Sequence, residues 1–189
     1  LRTIAKSILK GNYQSFLKVS STTYFEEIML QGLIISSIKV LNELMPYFYH
    51  YIELIDNWAL NDTFCNSLKI VNKNKTYFLN IIDDLIKSKK EYHVRVGLIL
   101  LLSYYVEVEY LNLIFKYIEL SASEYYYVNM ARAWLLCEVF TKYESATLNY
   151  LEHHNLDKFT INKAISKIRD SYRVNKEMKA HILKFKRGA

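Results

Sequence analysis

A regular spacing of small residues is the feature that most constrains the fold of this chain. Gly32, Cys65, Gly97, Ala131 and Ala164 follow one another at intervals of 33, 32, 34 and 33 residues, each inside an apolar run with helical periodicity. A repeat of this length is typical of stacked helical hairpins. A small side chain at the repeated position allows neighbouring helices to approach closely. The period therefore predicts an all-α protein built as a solenoid.

One repeat departs from the apolar pattern of the others. The position three residues before each small residue is apolar in four repeats and is Asp62 in the fifth, the apolar ones being Met29, Val94, Val128 and Ile161. A local rule broken in a single repeat is expected at functional sites. The position two residues before the small residue holds Leu30, Thr63, Arg95, Asn129 and Asn162. Because four of these five are polar, we expect this column to lie on the protein surface, with Arg95 as its one charge.

Composition supports a helical chain with one core. The 189 residues fit a single domain (1–189), and 51% of them are hydrophobic, with only one proline and four glycines. The longest apolar run, Val96 to Val106, is too short to span a bilayer. Cys65 and Cys137 have no metal or redox spacing and are expected to be buried thiols in a reducing compartment. No metal or cofactor is expected.

Positive charge is concentrated at the C-terminal end. From Lys158 onward there are ten Lys/Arg and two acids, whereas the preceding residues carry fifteen Lys/Arg and seventeen acids. A basic terminal segment indicates a polyanionic partner, with nucleic acid the first choice. The alternative is a solvated polar cap on the last repeat.

The pattern predicts a succession of helices with identifiable caps. Thr22 or Thr23, with Glu26, is predicted to cap a helix that reaches Val40, and Asp56 or Asn57 to cap the helix that carries Asp62. Pro46 is expected at the start of its helix. The remaining helices are predicted over 1–10, 13–19, 47–55, 77–87, 92–105, 108–120, 125–142, 145–153, 157–171 and 176–184.

Four segments resemble signatures of the DNA alkylation repair family, the AlkD-like HEAT-repeat DNA glycosylases. They occur in the family's order and are NWALNDTFC at 57–65, VRV at 94–96, YYVNMARAWLL at 126–136, and FTINKAISKIRD at 159–170 followed by Arg173-Val174. The resemblance covers essentially the whole chain. It implies a right-handed α-solenoid of HEAT-like repeats with a concave face that binds DNA. It also implies that an N-terminal helical segment, usual before the Leu1-Arg2 and Ala5-Lys6 motif, is missing here.

The resemblance implies an enzyme that removes cationic N3- and N7-alkylated purines from duplex DNA by hydrolysing the N-glycosidic bond. Such a base is a good leaving group, and the transition state is oxocarbenium-like. Asp62 matches the family's carboxylate, and Trp58 and Trp134 match its two indoles. Base flipping is not implied. The matched residues are therefore expected to be catalytic.

The resemblance also marks residues for DNA binding. These are Arg95, Arg132, Lys163, Lys167, Arg169 and Arg173. The spacing agrees with a shared surface, because Trp58 and Asp62 are four residues apart on one helix face, and Arg95 and Trp134 follow at one and two repeats. The partner is expected to be double-stranded DNA, preferably alkylated, bound by a monomer in the cytoplasm that associates with the nucleoid on binding.

Other interpretations of the same residues stay open. Asp62 is alternatively an exposed helix residue or the ion-pair partner of Arg95, and each tryptophan is alternatively part of the core. Arg132 is alternatively a solvated surface residue, and some bases of the last third must pair with local acids. As a whole, the chain is alternatively a non-catalytic HEAT-repeat module that binds DNA or a protein.

Overall fold

A computed structural model describes residues 1–188, and every regular element in them is helical. Twelve α-helices, three short 3₁₀ segments and no strand occur within those residues. The α-helices are α1 (Arg2–Leu9), α2 (Tyr13–Val19), α3 (Phe25–Ile35), α4 (Leu41–Ile52), α5 (Trp58–Ser67), α6 (Lys75–Ile86), α7 (Glu91–Tyr104), α8 (Leu111–Leu120), α9 (Tyr126–Lys142), α10 (Glu144–Leu151), α11 (Lys158–Asp170) and α12 (Lys176–His181). The 3₁₀ segments are Lys69–Lys73, Val108–Tyr110 and Ile182–Phe185. The all-α prediction is confirmed.

The chain forms two compact units. The first is Leu1–Ile81 and the second begins at Ile82. The expectation of one continuous domain stays a prediction. None of the helices within residues 1–188 is long and apolar enough to cross a membrane.

Two helix starts show how local hydrogen bonds set the boundaries. The Asn57 side chain accepts from the backbone N–H groups of Ala59 and Leu60, which confirms the cap predicted for α5. Asp157 likewise accepts from the N–H of Thr160 at the start of α11.

The predicted bounds of α3 are wrong at both ends. The helix begins after Tyr24, with no side-chain cap within the described residues, and the Glu27 carboxylate accepts instead from the Ser21 N–H at 2.6 Å. The helix ends at Ile35, five residues before Val40, and the next two residues, Ser36 and Ser37, direct their hydroxyls to the Leu33 carbonyl. Hydroxyl groups that bond to nearby carbonyls compete with continuation of a helix.

The start predicted for α4 is also wrong. The helix begins at Leu41, so Pro46 lies inside it, at the sixth position. A proline has no N–H to donate to the preceding turn. The buried face formed by Leu44, Met45 and Phe48 continues across the proline, and this packing offsets the lost hydrogen bond.

All five small residues of the repeat are buried, as the period predicts. The two glycines lie where a neighbouring helix comes close. A Cβ atom on Gly32 would lie 2.2 Å from Oη of Tyr51 in α4, and one on Gly97 would lie 3.2 Å from the Ile86 side chain in α6. The absence of a side chain therefore sets the approach of α3 to α4 and of α7 to the end of α6.

The column two residues before the small residue does not form a surface. Leu30, Arg95 and Asn129 are buried, and only Thr63 and Asn162 are partly exposed. The prediction of a surface column is wrong because polar side chains in this column, Arg95 and Asn129 among them, hydrogen-bond to other parts of the protein. A buried polar group that is satisfied in this way can occupy a core position.

Candidate nucleic-acid interface

Helix α5 presents an indole and a carboxylate one turn apart. Trp58 is the first residue of the helix, and 53% of its surface is exposed. Asp62 follows four residues later and is half-buried. Because residues four apart lie on the same face of a helix, the ring and the carboxylate share one face of α5. A large aromatic ring left in solvent beside an acid is a candidate contact for a ligand.

Asn61 contacts the carboxylate. Asn61 is fully buried, and its Nδ2 donates to Oδ1 of Asp62 at 3.0 Å. The same amide lies 4.0 Å from Sγ of Cys65. A buried donor that hydrogen-bonds to a carboxylate restricts its rotation. Sequence reasoning missed Asn61, and the available signal was a polar residue immediately before Asp62 within an otherwise apolar turn.

Trp134 departs from the burial pattern of its own column. It is three residues after the small Ala131, and the equivalent residues Ile35, Leu68 and Leu100 are all buried. Trp134 itself is half-buried on α9. Part of this indole is therefore accessible at a position that the three preceding repeats give to the core, whereas the last repeat has the half-buried Lys167 there.

Arg95 is a packing residue in this structure. Only 5% of its surface is exposed, and its Nη1 donates to the backbone carbonyl of Tyr127 at 2.6 Å. The Arg95 guanidinium carbon lies 5.9 Å from the centre of the Tyr127 ring, and the Tyr127 N–H donates to the Glu91 carboxylate. Arg95 and Glu91 thus join α7 to the first turn of α9. The Arg95 guanidinium is engaged within the protein, and its predicted phosphate contact stays a prediction.

Arg132 is the most buried charge of the second unit. Its exposed surface is 0%, and its Nε donates to the Ile118 carbonyl of α8 at 2.6 Å. Its Nη1 lies 2.6 Å from a carboxylate oxygen of Asp157, with Asn129 and Thr160 also within hydrogen-bond distance. Its Nη2 has no partner within residues 1–188. This guanidinium joins α8, α9 and the start of α11, and the DNA contact predicted for Arg132 stays a prediction.

Asp157 completes this network. Burial opposes ionisation of its carboxyl, but the hydrogen bonds from the Thr160 N–H and from Arg132 outweigh that cost and hold its pKa below the ordinary value. The carboxylate therefore stays charged over the neutral range. It pairs with Arg132 and caps α11 at the same time.

The basic residues predicted on and after α11 differ in their surroundings. Lys163 and Arg169 are exposed, and Lys167 is half-buried. Arg173 is exposed and forms an ion pair with Glu138 of α9 at 2.6 Å. Local pairing of some of these bases was expected, and it falls on Arg173. Lys163, Lys167 and Arg169 place positive charge along α11.

The predicted residues fall into two sets. Trp58 and Asp62 lie together on α5 of the first unit. Trp134 and all the predicted basic residues but one lie on the packed helices α7, α9 and α11 of the second unit, and Arg173 follows α11. The meeting of both sets on one surface stays a prediction.

Comparison with known protein families matches residues 1–168 to the family described as DNA alkylation repair enzyme. No curated protein and no solved structure matches the chain. The family match includes α5 with Trp58 and Asp62, α9 with Trp134, and most of the basic helix α11. Because the match extends over far more than half of the sequence, the chain belongs to the DNA alkylation repair enzyme family.

Proposed function

We propose that this protein is a DNA glycosylase that hydrolyses the N-glycosidic bond of cationic N3- or N7-alkylated purines in duplex DNA. The observation that carries the proposal is the pair on α5, an exposed Trp58 and a half-buried Asp62 held by Asn61, in a chain of the DNA alkylation repair family. The proposed architecture is a right-handed HEAT-like solenoid whose concave face takes the DNA.

The proposed reaction needs a stabiliser of positive charge more than a strong acid. When the C1′–N bond of an alkylated purine breaks, the electron pair goes to the base, which leaves neutral, and the sugar becomes an oxocarbenium ion. A carboxylate about 4 Å from that charge contributes about 4 kcal/mol at an effective dielectric constant of about 20. Water then adds at C1′ and gives its proton to Asp62 or to solvent. We assign Asp62 this electrostatic role.

The two indoles extend the same role. The exposed ring of Trp58 offers a π-face to the sugar and to the cationic base, and cation–π contacts contribute about 0.5–2 kcal/mol. Trp134 is proposed to contact the DNA with its accessible portion. Both would act while the lesion stays accessible at the surface of the duplex.

Binding to the DNA backbone is assigned to the exposed and half-buried basic side chains of α11. Lys163, Lys167 and Arg169 would neutralise phosphates, so the logarithm of duplex affinity should fall with the logarithm of salt concentration by about 0.9 per phosphate contact. Arg95 and Arg132 would act indirectly, by holding α7, α9 and α11 together.

The test is single-turnover release of N7-methylguanine from duplex DNA. Asp62→Asn keeps the size of the side chain but removes its charge, and we expect release to slow by at least tenfold, about 1.4 kcal/mol of barrier. DNA affinity should hold or improve slightly, because the carboxylate repels the phosphates. Asp84→Asn, which removes an exposed acid from α6, is the matched control and should release base at the wild-type rate.

Two outcomes would count against the proposal. Equal rates for wild type and Asp62→Asn would remove the carboxylate from catalysis. No release by wild type, with salt-dependent duplex binding retained, would favour a non-catalytic DNA-binding module.

A further inference from the structure

A row of aromatic rings crosses the first turns of three helices of the second unit, α7, α9 and α11, of which α9 packs against both of the others. Tyr92 begins the row on α7, with its ring centre 6.2 Å from that of Tyr127 on α9. The Tyr127 and Tyr126 centres are 5.2 Å apart, and Tyr126 lies 5.8 Å from Phe159 on α11. Tyr126 is 53% exposed and Phe159 is 37% exposed. We call these four residues the aromatic row.

The row follows the repeat. Tyr92, Tyr126 and Phe159 each lie five residues before the small residue of their repeat, Gly97, Ala131 or Ala164. In the first unit the same position holds Glu27 and Leu60, and Leu60 is buried. The aromatic residues are therefore a property of the second unit and not a requirement of the helical repeat. Seam packing, the ordinary explanation for tyrosines in such a chain, does not account for their exposure.

A basic groove adjoins the end of the row at Phe159. It encloses about 610 Å³ and is lined by Lys158, Phe159, Asn162, Lys163, Ser166 and Lys186. These six described residues include three lysines and no acid. The Lys163 ammonium lies 5.9 Å from the centre of the Phe159 ring, so charge and aromatic face occupy the same wall. We call this feature the α11 groove.

The far wall of the α11 groove is fixed by hydrogen bonds. Asn162 donates to the backbone carbonyl of Arg187 and accepts from its N–H, at 2.9 and 3.0 Å. The Arg187 guanidinium donates to the Leu156 carbonyl at 2.6 Å. These bonds hold the chain beyond α12 against α11 and keep Lys186 at the edge of the groove.

Two of the acids that lie close in sequence to the aromatic row have partners within the protein. Asp157 pairs with the buried Arg132, and Glu91 accepts from the Tyr127 N–H. The lysines of the α11 groove, by contrast, have no acid among the six described residues that line the groove. A ligand that suits the surface must carry repeated negative charge and expose flat rings. Single-stranded nucleic acid has both properties, whereas a duplex hides the faces of its bases.

We propose that the α11 groove and the adjoining Tyr126 form a binding site for single-stranded DNA. Bases stack on the rings of Tyr126 and Phe159, and phosphates lie at Lys158, Lys163 and Lys186. The site extends beyond base excision, because it binds an unpaired segment whether or not that segment contains a lesion. Binding of this kind would retain the protein where a duplex has opened.

The test is fluorescence anisotropy of labelled single strands with the full chain. Wild type should bind an oligothymidine more tightly than an abasic strand of the same length and charge, since only the first has bases to stack. Phe159→Leu and Tyr126→Leu should each weaken oligothymidine binding at least fivefold and leave abasic binding unchanged. Tyr172→Leu removes a fully exposed tyrosine outside the groove and is the matched control, with less than a twofold change expected.

The charged part of the site has its own test. Lys163→Gln should lower the salt dependence of oligothymidine binding by about 0.7 in the log–log slope, the value for one phosphate contact with a single strand. Lys116→Gln, on the exposed side of α8, should leave the slope unchanged. Ultraviolet cross-linking of oligothymidine to wild type should map to peptides that contain Tyr126 or Phe159, which tests the site without any substitution.

Several results would overturn the proposal. Equal affinity for abasic and thymidine strands would mean that the protein recognises only the charge of the strand and not its bases. An acidic peptide that competes as well as oligothymidine would favour a protein ligand. If Phe159→Leu and Tyr126→Leu both bind oligothymidine with wild-type affinity, the two rings do not stack on bases. Failure here is distinct from failure of the proposed glycosylase, because one experiment measures strand binding and the other measures release of free base.

Discussion

The helices that carry the two candidate tryptophans are held in different ways. In the first unit, α5 packs through a cluster of aromatic residues: the ring centres of Tyr51 and Phe64 are 4.6 Å apart, and Phe48 lies 5.7 Å from Phe64 and 6.0 Å from Phe78. In the second unit, α9 is held by the buried Arg132, which bonds to α8, to α9 itself and to the start of α11.

The two kinds of packing differ in how much structural change each of them tolerates. Aromatic packing is non-directional and accepts small adjustments, whereas a buried guanidinium needs acceptors in fixed directions. In the first unit, Asp62 therefore lies on a helix that is positioned by the packing of aromatic side chains. The second unit fixes α9 and α11 in one register, which places Trp134, the aromatic row and the α11 groove relative to one another.

Arg132→Met should produce the largest effect. It removes the charge but keeps most of the volume, leaving Asp157 without its charged partner and the Ile118 carbonyl without its hydrogen bond from Arg132. We expect a loss of about 3 kcal/mol, the lower end for a broken buried pair, because the Asp157 side chain is 42% exposed. Urea denaturation measures the loss, and hydrogen exchange should show faster exchange in α9 and α11 than in α5.

Arg173→Gln is the matched control for Arg132→Met. It breaks an ion pair with Glu138 in which the arginine side chain is 52% exposed, so a change of about 0–1 kcal/mol is expected. Similar losses in the two variants would show that burial of Arg132 adds nothing to stability.

Gly32→Ala tests how far aromatic packing tolerates change. The new Cβ would lie 2.2 Å from Oη of Tyr51, whose ring is fully buried, so the ring or helix α3 must move. We expect a cost of about 2 kcal/mol, as for other overpacked cores. In Gly97→Ala the nearest atom is the flexible end of Ile86 at 3.2 Å, and the higher helix propensity of alanine offsets part of the strain. Thermal unfolding should place Gly97→Ala within about 1 kcal/mol of wild type, and equal losses would contradict this account.

Much of the fold was predictable because it depends on local pattern. The small-residue period identified five buried positions, and the cap at Asn57 was visible from residue type and place. The ends of α3 and the start of α4 were not predictable, because serine hydroxyls and the packing around Pro46 outweighed helix propensity.

The candidate site was less predictable because its decisive contacts join residues far apart in sequence. Arg95 donates to the carbonyl of Tyr127 and Arg132 to that of Ile118. Neither contact can be predicted from helical periodicity. The family resemblance made both arginines candidates for phosphate contacts. Tyr126 and Phe159 occupy the same position of the repeat as Tyr92, which is visible in the sequence. The pattern indicates a binding surface only once the exposure of Tyr126 and Phe159 is known.

Tyr51→Phe should produce the smallest effect. It tests whether the first unit depends on any directional hydrogen bond from the Tyr51 hydroxyl. Tyr51 Oη is buried and has no hydrogen-bond partner within residues 1–188, and burial raises the pKa of the phenol above its ordinary value. Removing an unsatisfied buried hydroxyl removes its desolvation cost, so we expect stability to be unchanged or to rise by up to about 1 kcal/mol. Combined with Gly32→Ala, the variant removes the atom nearest to the new methyl group and should recover part of the loss, which a double-mutant cycle in urea measures. A loss of more than about 1 kcal/mol in Tyr51→Phe alone would mean that the hydroxyl bonds to a buried water, and the first unit would then share the directional packing of the second.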